Sequence, residues 1–169
     1  MSDNQATPIE LAAVLMDAIC VPAERERAAL EELTSHLGMD LGQVQSELMF
    51  LRAFAVDLAA STTLGQGPSC EILRRHLQQS WQRLEGEVGA GLADDLQERF
   101  EVYAHITSGP QSHPAGLRGA VGQVFAHCCN AGEQGGDMAL LGGAMFAAFY
   151  EEVCQLFDAV DLVTSPGDE

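Results

Sequence analysis

Apolar residues recur every three to four positions along most of this chain, the spacing of one face of an α-helix. No stretch shows the strict alternation of a half-buried strand. Capping and breaking residues divide the pattern. Thr7 caps a first helix, with Pro8 in its first turn and Glu10 completing a capping box, and it runs to about residue 19. Pro22 opens a second helix that ends at Gly38, a C-cap residue. Asp40 caps a third, about 41–63. After the break Gly65-Gln66-Gly67-Pro68, Ser69 caps a fourth, about 70–88. Gly86, Gly89 and Gly91 mark the next break, and a fifth helix covers about 92–107. Ser108 to Pro114 is the plainest loop, followed by a sixth helix at about 116–130. A glycine-rich turn, Gly132 to Gly136, leads to Asp137 and a long seventh helix, about 137–161.

Two of these segments are apolar well beyond one stripe. In the third, Leu41, Val44, Leu48, Leu51, Ala55 and Leu58 share a face while Met49, Phe50, Phe54 and Val56 spread around the rest. In the seventh, Met138, Gly142, Met145, Phe149, Val153 and Leu156 form a stripe, with Leu140, Gly143, Ala144 and Ala147 opposite. A helix apolar all round is buried in its domain or against a partner. The pattern predicts an all-α, compact single-domain bundle of about seven helices, the third and seventh innermost, with sequential antiparallel neighbours. Residues 8–163 form the domain, 1–7 a disordered or frayed N-terminus and 164–169 a frayed tail.

Composition agrees. Ala and Leu outnumber Val, Ile and Thr about two to one, which favours helix. With 169 residues and 47% hydrophobic content the chain fits one domain with a real core, not a disordered acidic tail. The net charge is -17, and every cationic side chain is an arginine. The absence of lysine excludes a P-loop, a protein kinase and a Schiff-base enzyme, each of which needs one. So few cations against so many acids also speak against nucleic acid and anionic membranes as partners. A basic protein, a cation or plain solubility remains. Met1 to Thr7 has no basic signal-peptide start, and the longest uncharged apolar run, Ala139 to Tyr150, is too short to span a membrane. Five cysteines without a CxxC pair point to reduced thiols and a cytoplasmic location.

Candidate chemistry is thin. Asp94, Glu98, Glu101 and His105 share one stripe of the fifth helix, as half of a bundle metal site would. Leu92, Leu96, Phe100 and Tyr103 centre on the opposite face, so the acidic stripe is expected in solvent, and no metal or cofactor is assigned. In His127-Cys128-Cys129, Cys128 shares the core face with Leu117, Val121 and Val124, leaving His127 and Cys129 on the flanks. Cys70, in the first turn of the fourth helix, is the thiol best placed for a lowered pKa, although Glu71 opposes it. The Gly132–Gly136 turn carries acids that would repel phosphate. Trp81, near Leu77 and Leu84, reads as core.

Two features of the seventh helix point to interaction. Gly143 with Ala147, and Ala144 with Ala148, are small residues four apart that let another helix approach closely. The approaching helix is expected to be the third of this chain or the seventh of a second copy. Phe50, Phe54, Met145 and Phe149 are adaptable side chains that would line an apolar pocket between the third and seventh helices. No catalytic residues converge and no motif specific to a family is present. The reading is therefore a non-enzymatic, acidic helical interaction module of adaptor, chaperone-like or regulatory kind, with a protein partner or self-association as a homodimer. The alternative is a helical sensor or carrier of a small apolar ligand. A metal-dependent or thiol enzyme, resting on the fifth-helix stripe or Cys70, ranks last.

Overall fold

The computed structural model describes residues 5–108 and 116–163. They form α1 (Pro8–Cys20), α2 (Glu24–Leu37), α3 (Leu41–Thr63), α4 (Pro68–Val88), α5 (Leu92–Ser108), α6 (Gly116–Cys128) and α7 (Gly135–Ala159), a compact helical bundle. The capping box of α1 is as the sequence predicts, the Thr7 amide donating to Glu10 Oε2 at 2.9 Å. Asp40 accepts from the Gln43 amide at 2.8 Å to start α3. Gly38 ends α2 in the left-handed region, φ 66°.

Several boundaries differ from expectation. Pro22 precedes α2 without opening it; the helix begins at Glu24, where the Glu26 carboxylate accepts from the Ala23 amide. Pro68 itself provides the first residue of α4, with Gly67 as N-cap, so Ser69 lies inside the helix and caps nothing. A proline at the first position needs no hydrogen-bonded amide, which makes it the cheaper start. α6 stops at Cys128 because Asn130 turns left-handed, φ 57°. A single 3-10 turn, Gly132–Gln134, then leads into α7 two residues before Asp137. α7 ends at Ala159, since the next residues pair with the N-terminal segment. Gln5–Ala6 (β1) and Asp161–Leu162 (β2) form a parallel two-residue ladder that ties the two ends of the described chain together. Residues 1–4, the loop at 109–115 and the tail at 164–169 lie outside the described residues.

α3 and α7 hold the centre, as their all-round apolar character requires. α7 packs on α3 and most closely on α6. Consecutive helices touch at α2/α3, α3/α4, α4/α5, α5/α6 and α6/α7, but α1 breaks the sequential rule and packs chiefly on α4. α1 and α4 thus flank α3 together, covering a side that a purely sequential order would leave wet.

α3 carries three charged residues, Glu47, Arg52 and Asp57, each five positions after the last. At about 100° per residue, five positions turn about 140°, so the three point in three directions around the helix. Each meets an opposite charge on a different neighbour: Glu47 with Arg99 of α5, Arg52 with Glu26 of α2, and Asp57 with Arg74 of α4. α3 is therefore the hub electrostatically as well as by burial.

Candidate functional site

α2 packs on α3 and leaves a groove before it reaches α7. The groove has a volume of about 500 Å3. Ala23, the N-cap of α2, with Arg25, Glu26 and Ala29 of α2 form one wall; Leu141, Ala144, Met145, Ala148, Phe149 and Glu152 of α7 form the other. Met145 and Phe149 are buried at its floor, Leu141 and Ala144 are half-buried, and Ala148 is exposed. Leu140, beside Leu141, is 70% exposed. Two helical turns of α7 therefore present an apolar face that no helix among the described residues covers.

Arg52 holds the groove's two walls. It is only 4% exposed, and its Nη1 donates to the Ala18 carbonyl of α1 at 2.8 Å. Its Nη2 pairs with the Glu26 carboxylate of α2, and its guanidinium lies 4.8 Å from the ring centroid of Phe149 in α7. One side chain from α3 thus contacts three other helices by ion pair, backbone hydrogen bond and cation–π contact. Its Nε has no hydrogen-bond partner among the described residues.

A second polar cluster is buried between α3, α5 and the end of α6. Arg99 donates from Nε and Nη2 to the two oxygens of Glu47, both at 2.8 Å, in a bidentate fork. Glu47 is 5% exposed. The hydrogen bond to Glu47 raises the Arg99 pKa above its ordinary value. Beside the pair lie Tyr103 and Cys129, both raised chiefly by burial, and the Tyr103 hydroxyl is fully buried with no partner among the described residues. Burial thus favours the neutral forms of Tyr103 and Cys129, while Arg99 is held charged by its bond to Glu47.

The residues singled out from the sequence are dispersed. Asp94, Glu98, Glu101 and His105 are all exposed; Glu98 contacts Arg99 at 3.3 Å and Glu101 accepts from Gln97 at 3.1 Å. Among the described residues no three His, Cys, Asp or Glu side chains converge as metal ligands would. In the cysteine pair the roles are reversed from expectation: Cys129 is buried, Cys128 half-buried and His127 exposed. The core face of α6 is Val121, Gly122, Phe125 and Ala126, one step round from the expected one, and Cys129 continues it four residues after Phe125, its amide still donating to the Phe125 carbonyl at 2.9 Å. Cys70 is buried and its pKa is raised, first by desolvation; nearby Arg74 lowers it while Asp57 and Glu71 raise it. Position at a helix start does not activate a thiol that has lost its water.

The small residues of α7 serve two different contacts. Gly143 faces α6 and not α3: a Cβ placed there would lie 2.6 Å from the Arg118 carbonyl oxygen. Ala144 and Ala148 line the groove, and Ala147 is half-buried. The four residues expected to form one apolar pocket separate likewise. Met145 and Phe149 face the groove, Phe50 is buried, and Phe54 stacks on Tyr103 with centroids 5.0 Å apart and on Phe146 at 6.3 Å.

The buried ion pairs escaped the sequence reading, although a signal was present. A charged residue buried in an otherwise apolar helix must find a partner or pay heavily for desolvation, so Glu47 and Arg52 already implied opposite charges from elsewhere, whereas Asp57 and Arg74 are each more than a third exposed. No helix among the described residues is long and apolar enough to cross a membrane. No protein-family model, curated protein or solved structure matches this chain.

Proposed function

We propose that this protein is a non-enzymatic helical interaction module that seats an amphipathic, basic helix of a partner protein in the groove between α2 and α7. The observation that carries the reading is the uncovered apolar face of Leu140, Leu141, Ala144 and Ala148 above the Met145–Phe149 floor. A helix laid in such a groove inserts side chains at helical spacing. The chemistry of the partner follows from charge. Glu24, Glu31 and Glu32 of α2 and Glu151, Glu152 and Asp158 of α7 are exposed on the two groove helices, in a chain of net charge -17. A second copy would bring the same charge to a twofold contact, whereas a basic helix is attracted. The five cysteines, all free, fit a reducing compartment, and a cytoplasmic location belongs to this reading.

The test uses a labelled Leu/Lys peptide of about 18 residues patterned as an amphipathic helix, titrated against the protein by fluorescence anisotropy. Saturable binding is expected, weakened about tenfold by Ala148→Trp, which fills the groove without changing charge. A peptide that binds Ala148→Trp as tightly as the parent overturns the groove. A parent protein that sediments as a dimer and becomes monomeric with Ala148→Trp assigns the groove to a second copy and overturns the basic partner.

A further inference from the structure

α5 carries an apolar stripe, Leu92, Leu96, Phe100 and Tyr103, of which only Tyr103 is fully buried; the other three are half-buried. Where they lie, α5 does not close on α4. The Glu85 carboxylate accepts from the Gly91 amide at 2.9 Å and the Ala93 amide at 3.3 Å, which fixes the start of α5 against the end of α4. Beyond that hinge the two helices enclose a cleft of about 340 Å3, within the ~300–1,000 Å3 range of small-molecule sites. It shares no residue with the α2/α7 groove.

The cleft is built in two zones. Its depth is apolar and aromatic: Trp81 and Leu77 of α4, Phe100 and Leu96 of α5, with Ile19 and Ala53 behind. Phe100 is braced edge-on by Phe54, centroids 6.1 Å apart at 80°, so its ring is a fixed wall. The exposed Gln78, Gln82 and Gln97 ring the opening with amide donors and acceptors, the Gln97 amide nitrogen also donating to Glu101 at 3.1 Å. The two charged lining residues cancel. Arg74 Nε donates to Asp57 Oδ1 at 2.7 Å, and this bond raises the Arg74 pKa. Arg74 also donates to Ser61 Oγ, which leaves it committed on both sides. No uncompensated charge remains to fix an ion, and the overall charge of -17 repels anions.

We propose that this cleft between α4 and α5 is a binding site for a neutral, planar molecule of one or two rings whose edge carries an amide or hydroxyl group. The rings lie between Trp81 and Phe100, and the polar edge faces the glutamine amides. Such a division, apolar depth with a few polar groups that orient the ligand, is how small-molecule sites obtain both affinity and direction.

Trp81 is the chain's single tryptophan, so its emission reports the site directly. The probe is 2-quinolone, with naphthalene and quinoline-2-carboxylate as comparators lacking the polar edge and the neutral charge respectively. Binding is followed by Trp81 emission and by isothermal titration calorimetry. 2-Quinolone is expected to bind saturably and about tenfold more tightly than either comparator. Ala93→Phe, which fills the mouth from the half-exposed start of α5, is expected to abolish binding while leaving the circular dichroism unchanged. Gln78→Leu is expected to weaken 2-quinolone about tenfold and leave naphthalene unaffected. Absence of saturable binding to the parent, binding that survives Ala93→Phe, or naphthalene binding as tightly as 2-quinolone overturns the proposal. None of these variants touches the α2/α7 groove, so the peptide assay and this one fail independently.

Discussion

Replacing a helical glycine with alanine should have opposite effects at two positions of this protein, because only one of them is a point of helix contact. Gly122 of α6 lies where α7 crosses. A Cβ there would sit 2.1 Å from the Ala139 carbonyl oxygen, 3.0 Å from the Gly143 amide nitrogen and 3.1 Å from the Ala139 carbonyl carbon. Carbon–oxygen contacts normally begin near ~3.3 Å, so the helices would have to part by roughly 1 Å. The obstacle is backbone, which cannot rotate aside as a side chain can. A gap of ~1 Å forfeits a quarter to a half of each dispersion contact along the seam, where Val121, Phe125, Met138 and Phe146 are buried. The upper end of the usual overpacking cost, about 3 kcal/mol, is therefore appropriate. Alanine's better helix propensity offsets ~1 kcal/mol of this. The net loss is about 2 kcal/mol, a fall in Tm of roughly 4–8 °C for a chain of this length. Gly86 of α4 has no atom within 4 Å of an added Cβ. Gly86→Ala should therefore raise stability by ~0.5–1 kcal/mol. Both variants are measured by urea unfolding followed by circular dichroism at 222 nm. A Gly122→Ala protein as stable as the parent would show that α6 and α7 do not meet at this glycine and would refute the reasoning.

Other outcomes follow from the buried polar groups. Arg99→Met leaves Glu47 buried without its partner and should cost ~3–5 kcal/mol in urea unfolding, with much of the loss recovered when Glu47→Leu is added. Tyr103→Phe removes a buried hydroxyl that has no partner among the described residues, and should leave stability at neutral pH unchanged or raise it by ~1 kcal/mol. Burial raises the pKa of both Tyr103 and Cys129, so the folded chain keeps protons that the unfolded chain releases near ~8.5 for cysteine and ~10 for tyrosine. Their contribution is complete below those values and is lost as pH climbs toward the folded pKa values; the urea midpoint should fall steadily above pH ~8.5, less steeply above ~10 in Tyr103→Phe. With a thiol reagent on native protein, exposed Cys20 should react first while buried Cys70 and Cys129 react only on unfolding; prompt labelling of Cys70 would contradict its burial.

Much of the architecture was legible in the chain itself. Apolar spacing and the caps at Thr7, Gly38 and Asp40 locate the helices, because capping chemistry is local and a helix satisfies its own backbone. The all-round apolar character of α3 and α7 placed them at the centre, since such surfaces have no stable place in water. Even the exposure of the α5 acidic stripe followed from the stripe opposite it. What tertiary structure decided is which surfaces meet. Gly143 was legible as a point of close approach, but only the fold shows α6 there, and leaves Ala144 and Ala148 to an open groove. The buried charges of Glu47 and Arg52 demanded partners, but those lie 52 and 26 residues away, and the half-buried Asp57 meets its own 17 residues away, on three different helices. Cys70 has the local position of an activated thiol and the tertiary environment of an inert one. The groove and the cleft exist only because α2 and α5 each stop short of a neighbour. Periodicity states which face of a helix avoids water; it does not state how completely a distant helix will cover that face.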